Sequence, residues 1–147
     1  MPILHGQHDG NRALVPVAIL GTTNDGGLTL PSSEDLAAFR ALVDTGATGT
    51  AVTGRVVSSA QLKPISKRKV LGVSGAMISN VYQFRLGFVL QNQSPDGSAE
   101  TGISFVGGML QGTELAGEHD FDVLLGMDVL RHCQLTLLPS RQFTIAF

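Results

Sequence analysis

The residue best suited to do chemistry is Asp44, an acid that follows directly on an apolar run. Residues 41–43 are Ala-Leu-Val, and residues 44–46 are Asp-Thr-Gly. A carboxylate at the end of a buried strand has to be hydrogen-bonded, paired or protonated. Thr45 supplies a hydroxyl group beside it, and Gly46 lets the backbone turn close to the acid. The pattern favours acid–base chemistry at Asp44. The alternative is an ordinary turn, in which nearby backbone amides stabilise the carboxylate.

Three elements are predicted to position this acid. The apolar run 41–43 reads as a short buried strand, and the run 123–125, followed by Gly126 and a helical turn or two over 128–132, echoes it. Residues 70–90 carry the clearest hairpin pattern, with a tip at Ser74-Gly75 and strict alternation of Phe84, Leu86 and Phe88.

These motifs resemble, in order along the chain, those of the retroviral-like (retropepsin-type) aspartic proteases. Segment 41–48 (ALVDTGAT) resembles the active-site loop, the tip 72–76 (GVSGA) resembles the flap, and 123–130 (VLLGMDVL) resembles the second-half signature. The stretch that begins with LLGMDVL is similar to the protease-like domain of the DNA-damage-inducible ubiquitin-shuttle proteins, and short bacterial retropepsin-like proteins are similar too. The resemblance spans about residues 14–147.

The resemblance implies an all-β, retropepsin-like closed or partly open barrel with one or two short helices and a flap hairpin. Each chain would form one lobe, about half the length of a two-lobed pepsin-like enzyme. Residues 1–13 are expected to be an N-terminal arm, and residues 14–147 a single retropepsin-like domain.

The resemblance also implies roles for particular residues. Asp44 matches the catalytic acid/base. Thr45 matches the threonine that locks two loops together across a dimer, Gly46 the glycine whose carbonyl holds the substrate backbone, and Ala47 the alanine packed beside it. The flap and substrate-binding positions are Gly72, Val73, Ser74, Gly75, Ala76 and Met77, and the positions that support the loop are Leu124, Leu125 and Gly126. No metal and no cofactor is implied.

Aspartic proteolysis needs two carboxylates that share one proton across a bound water. The sequence has one Asp-Thr-Gly and no Asp-Ser-Gly, so the second acid has to come from a second copy. We therefore expect an aspartic endopeptidase that acts as a C₂ homodimer with the site on its axis, cutting extended, mostly apolar polypeptide segments. The first and last strands, near Leu14 and 143–147, are candidates for the interface.

Two alternatives stay open. One is a protease-like dimerisation or peptide-binding module with little catalysis, and the other is a form that needs trimming of a longer precursor. Thr48 and Met127 stand where viral members carry a paired aspartate and arginine. The hairpin tip has one glycine on each side of Val73-Ser74 rather than a glycine-rich run. Residues 21–40 are longer than the compact viral connection.

Composition excludes several classes of protein. The chain has 147 residues, 43% hydrophobic and 15% charged, which argues against a disordered chain. The net charge of −2 leaves no basic surplus for nucleic acid. No apolar run approaches the length of a membrane span. We therefore expect a soluble chain, whose localisation the sequence leaves open. The single cysteine, Cys133, fits a reducing compartment, and the chain is compatible with the cytoplasm or with excision from a longer protein.

The remaining pattern predicts about eight short strands in all. A strand is expected at 14–20, with Pro16 at an edge or start, a turn at 21–27, a resumed strand at 28–30 and a helix start at 32–35. A helix is expected within 53–62, and the basic residues at 67–69 are expected to be exposed. Loops are expected at 91–102 and 107–119, with a strand at 103–106. The strands 135–138 and 142–146 are expected to form a final hairpin.

The histidines offer a weaker metal hypothesis. His119 lies beside Asp120 and Asp122, but a solvated acidic loop explains this group more simply. His5 and His8 lack partners at ligand spacing. His132-Cys133 is adjacent only in sequence, and we interpret Cys133 as a core residue rather than a nucleophile.

Overall fold

The computed structural model describes residues 1–22 and 38–147, which contain eleven strands and two short helices. The elements are β1 (Ile3–Gln7), β2 (Leu14–Gly21), β3 (Phe39–Val43), β4 (Ala51–Thr53), α1 (Gly54–Ser59), β5 (Pro64–Gly72), β6 (Gly75–Gln93), β7 (Ala99–Phe105), β8 (Leu110–Leu115), β9 (Val123–Leu125), α2 (Met127–Leu130), β10 (Gln134–Leu137) and β11 (Gln142–Ala146). The all-β prediction is therefore confirmed. The predicted strand at 28–30, the helix start at 32–35 and most of the turn at 21–27 lie outside the described residues.

The larger sheet holds most of the strands and is partly closed. Its order is β2-β3-β9-β4-β8-β6-β5, with β7 beside β6 and a further pairing between β2 and β6. Strand β6 has 19 residues and pairs with β2, β5, β7 and β8 along its length. The path of pairings therefore returns from β6 to β2 and encloses a core that includes Val17, Phe84 and Phe88, all fully buried.

Strand β2 follows the sequence prediction closely. Pro16 lies opposite Arg40 on β3, and the pairing of β2 with β6 begins only at Val17. Pro16 thus occupies a stretch that is paired on one side, where its missing N–H costs no ladder hydrogen bond.

A smaller three-stranded sheet, in the order β1-β11-β10, contains the predicted final hairpin. Its third strand, β1, lies in a region where the sequence showed no apolar run. Only Leu4 of β1 is buried, and Gly6 leaves room for the Phe143 ring, so backbone pairing with β11 rather than an apolar pattern makes this a strand. The division into an arm of residues 1–13 and a domain of residues 14–147 stays a prediction.

Two predicted loops are wrong in part. Strand β6 continues to Gln93 and β7 starts at Ala99, so the loop expected at 91–102 shrinks to 94–98. Strand β8 lies inside the loop expected at 107–119. The outer ends of β6 and β7 are polar and exposed, and β8 carries only two buried residues. Pairing with β6 extends these strands where the apolar pattern gives little sign of them.

The predicted hairpin is confirmed as β5 and β6, joined by Val73-Ser74. The register runs without interruption from Ser66↔Val81 to Gly72↔Gly75. Gly75 has φ +113°, a value that glycine adopts without strain. The basic residues at 67–69 are exposed, as expected. No helix among the described residues is long and apolar enough to cross a membrane.

Candidate active site

Strand β3 carries Asp44 at its C-terminal end. It lies between β2 and β9 in the sheet and pairs with β9 in parallel, with Val43 opposite Leu125. The Asp44 N–H donates to the Leu125 carbonyl at 3.0 Å, which continues the pairing one residue beyond the strand. The acid is half-buried. Its backbone is thus held by the neighbouring strand β9, while its side chain lies just beyond the C-terminal end of β3.

The loop after Asp44 folds back onto the acid. The Gly46 N–H donates to Asp44 Oδ1 at 2.9 Å, and the Ala47 N–H donates to the Asp44 carbonyl at 3.2 Å. A Cβ at Gly46 would lie 3.2 Å from Asp44 Oδ1, so a larger residue would crowd the carboxylate. Thr45 and Gly46 are exposed. The loop therefore orients one carboxylate oxygen and presents its own tip to a ligand or partner.

The second apolar motif lies directly against this loop. Leu124 and Leu125 pair with Leu42 and Val43, and the Met127 N–H donates to the Ala47 carbonyl at 2.8 Å. The structure thus brings together the residues predicted for the loop, 44–47, and those predicted to support it, 124–126.

A link between Thr50 and Asp128 also holds the loop, and the sequence reasoning missed it. Asp128 Oδ1 accepts from Thr50 Oγ1 at 2.7 Å, and Oδ2 accepts from the Thr50 N–H at 3.0 Å. Thr50 Oγ1 in turn accepts from the Gly126 N–H at 3.2 Å, and Thr50 is 1% exposed. An acid in the first turn of α2 was the available signal, but its partner is distant in sequence. This network joins the two halves of the chain where the viral-type pair at Thr48 and Met127 is missing.

Thr50→Val should destabilise the protein by about 1–3 kcal/mol, because the Asp128 carboxylate and the Gly126 N–H each lose their hydrogen bond to the buried Thr50 hydroxyl. The free energy of unfolding in urea measures this cost. Thr48→Val is the matched control, since Thr48 is exposed and belongs to the same loop. Equal stabilities of the two variants would contradict the structural role given to the link.

The hairpin tip stands apart from the loop. No hydrogen bond among the described residues joins 72–77 to 44–47. Several of its apolar side chains are open to solvent: Val73 is fully exposed, Leu71 is 82% exposed and Met77 is 48% exposed. Apolar side chains in this position are available to cover a bound segment.

The metal hypothesis finds no support in the side-chain partners. Asp120 accepts from Arg12 Nη1 through both oxygens, which holds the pKa of Asp120 below its usual value. Asp122 accepts from the Arg40 N–H and from Arg55 Nη1. Among residues 1–22 and 38–147, no three metal-ligating side chains lie together.

Cys133 packs against the core as a half-buried residue. Burial raises the pKa of its thiol, so the thiolate needed for nucleophilic chemistry is disfavoured. This agrees with its interpretation as a structural residue.

Two solved structures are similar to the chain. The retropepsin-like aspartic protease from Rickettsia conorii is 17% identical with a TM-score of 0.45, and the match covers 92% of this chain and 94% of that chain. The retroviral protease-like domain of Ddi1 from Leishmania major is 14% identical with a TM-score of 0.44, covering 88% of this chain and 82% of that chain. The comparison with curated proteins finds no match.

The family model described as "Aspartyl protease" matches residues 31–129. That range holds the loop with Asp44, the β5–β6 hairpin and the motif 123–126. The match covers well over half of the sequence and includes the motifs from which the family was predicted, except the last residue of the motif 123–130. The chain belongs to the aspartyl protease family.

Proposed function

We propose that the chain is an aspartic endopeptidase that acts as a homodimer, with Asp44 as its catalytic acid/base. The observation that carries this proposal is the placement of Asp44. Its backbone is held by the neighbouring strand β9, one carboxylate oxygen is oriented by Gly46, and the loop tip around it is exposed. An acid with only a structural role in an ordinary turn needs neither a parallel pairing with a strand such as β9 nor an exposed loop beside it.

In the proposed reaction, Asp44 and its counterpart from a second copy hold a water between them. Two carboxylates close enough to hold one water share one proton, because ionisation of both would place two like charges next to each other. The ionised carboxylate takes a proton from the water as the water attacks the peptide carbonyl, and the protonated one donates to the carbonyl oxygen, which gives a tetrahedral intermediate. As the intermediate collapses, the C–N bond breaks, the proton taken from the water passes to the amide nitrogen, and the other carboxylate takes back a hydroxyl proton. Activity should therefore require one protonated and one ionised acid, which favours the acidic side of neutral pH.

The proposed dimer follows from the two acids that the proposed mechanism needs. The sequence supplies one Asp-Thr-Gly, so a dyad on one chain is not available. A two-fold axis beside Asp44 brings two identical loops together, and Thr45 at the exposed loop tip is placed to contact its own counterpart.

A surface beside Thr45 supports this arrangement. Val43, Thr45 and Leu137 line a groove of about 190 Å³ together with residues of the arm, and Leu137 is 59% exposed. Leu137 belongs to β10, which is an edge strand among the described residues. Phe143 and Ile145, in the segment 143–147 that the sequence offers as an interface candidate, are buried in the chain's own core. The proposal therefore places the contact on β10 and the Thr45 loop rather than on those side chains.

The hairpin is proposed to close over an extended peptide. Val73 at the tip and Leu71 next to it, both exposed, would cover apolar substrate side chains. The backbone of the hairpin would add strand-like hydrogen bonds to the peptide. Gly72, Ser74, Gly75, Ala76 and Met77 complete the covering segment.

The tip also favours a second candidate, a peptide-binding module with little catalysis. Its turn is Val73-Ser74, flanked by single glycines, and this differs from the glycine-rich tip of viral members. Such a module would hold an extended peptide without cutting it.

Incubation of the purified chain with a library of unstructured peptides tests these two candidates. Cleavage between about pH 4 and 7, the range in which acid–base groups of enzymes commonly work, detected as new termini by mass spectrometry, is the expected result. Binding of peptides without cleavage across that range would contradict the endopeptidase and favour the module.

A further inference from the structure

A polar pocket opens beside the far end of the active-site loop. It has a volume of about 340 Å³ and is lined by Thr48 and Gly49 of the loop, by Arg68 of β5, and by Arg131 and His132 after α2. Residues 107–111 close another side of the pocket. The loop, the hairpin and the end of α2 thus meet around one space.

The lining carries more positive than negative charge available to a ligand. Among the described residues, Arg68 and Arg131 take part in no salt bridge. Arg131 Nε donates to His132 Nε2 at 3.3 Å, and both side chains are exposed. The one carboxylate in the lining, Asp128, already accepts hydrogen bonds from Thr50 Oγ1, the Thr50 N–H and the Val129 N–H. Two guanidinium groups with no ion-pair partner among the described residues therefore line this space, in a chain whose net charge is −2.

The pocket is within reach of a peptide bound at Asp44. Thr48 follows Asp44 by four residues, so their Cα atoms are at most about 14 Å apart. An extended peptide advances about 3.3 Å per residue. That span corresponds to at most about two to four residues of an extended peptide. Arg68 lies on the same face of β5 as Val70, since alternate residues of a strand share a face.

We propose that this pocket is a subsite for an acidic side chain of the substrate. Arg68 and Arg131 are its specificity-determining residues, and the inference rests on the proposed peptidase function. A guanidinium group can form a bidentate, charge-assisted hydrogen bond to a carboxylate. The neutral amide of an Asn or Gln side chain binds it less strongly. The substrate class becomes an extended segment, apolar around the scissile bond, with Asp or Glu two to four residues away.

The test uses pairs of peptides that differ only by Glu or Gln, placed in turn at each position two to four residues from the scissile bond. For one position, the purified chain should cleave the Glu peptide with a kcat/KM about 10-fold higher, the effect of one charge-assisted hydrogen bond. Arg131→Gln and Arg68→Gln should each lower this ratio towards one. The Arg131→Glu variant should cleave a peptide with Lys at that position with a higher kcat/KM than the Glu peptide, which reverses the preference of the original chain.

Lys67→Gln is the matched control. Lys67 precedes Arg68 on β5, lines a different cavity and should leave the Glu/Gln ratio unchanged. Cleavage of both peptides with equal kcat/KM at every position would overturn the subsite while leaving the peptidase in place. If no peptide is cleaved, the proposed function fails. The affinities of fluorescently labelled Glu and Gln peptides, measured by fluorescence anisotropy, then test the subsite. A tighter complex with Glu that Arg131→Gln weakens supports it, and equal affinities overturn it.

Discussion

Asp44→Asn should reduce peptide cleavage by about 10²- to 10⁴-fold, the usual contribution of a positioned acid or base. An amide cannot take a proton from the attacking water, and it cannot share one with a facing carboxylate. The fold should persist, because the one side-chain hydrogen bond within the loop, from the Gly46 N–H, can also be accepted by an amide oxygen.

The measurement is kcat/KM for one cleaved peptide, with circular dichroism to confirm that the variant is folded. Asp96→Asn is the matched control, because Asp96 accepts the same kind of local hydrogen bonds, from Ser98, in an exposed loop that contains none of the site residues. The control should keep its activity. A folded Asp44→Asn chain that cleaves as fast as the control would remove Asp44 from the mechanism.

Gly126→Ala should damage both stability and activity. A Cβ at Gly126 would lie 2.5 Å from the carbonyl carbon and oxygen of Gly49 and 2.9 Å from the Thr50 nitrogen. These are backbone atoms of the segment that follows the active-site loop, so they cannot swing aside as a side chain can. Overpacking of this kind costs typically about 1–3 kcal/mol, and any relief has to move residues 49–50 and the Thr50–Asp128 link.

Urea unfolding and kcat/KM together measure this effect. Gly102→Ala is the control, since the nearest atom to its added Cβ is Asn92 Nδ2 at 3.9 Å, an ordinary contact, and it has no positive φ. The control should match the original chain in both measurements. Full stability and activity of Gly126→Ala would mean that strand β9 and the loop are not packed as described.

Much of the site's framework follows from local sequence. The apolar run 41–43 ends abruptly at Asp44, and this pattern indicated the loop. The echo at 123–126 is faint by itself, and the supporting role of 124–126 came from the resemblance to the protease family. The β5–β6 hairpin was found because Phe84, Leu86 and Phe88 alternate and a glycine follows the turn. Such signals are local and strong, so tertiary context did not override them.

The remaining features depend on contacts between distant residues. Strands β1 and β8 carry few buried side chains, and pairing with β11 and β6 makes them strands. The Thr50–Asp128 link joins residues 78 apart in sequence. The cationic pocket needs Arg68 and Arg131, which look like ordinary surface charges until the hairpin and α2 are placed in space. No local pattern encodes these juxtapositions.

The central claim is that one active site needs an Asp44 from each of two chains, and subunit mixing tests it most directly. The original chain and Asp44→Asn are mixed in varying proportions at constant total concentration, with time for subunits to exchange, and cleavage is measured. Activity should fall as the square of the original chain's fraction, so an equal mixture keeps about a quarter of it. Mixing with Asp96→Asn should leave activity unchanged. A linear fall, with about half retained in the equal mixture, would show that each chain carries a complete site and would contradict the shared dyad.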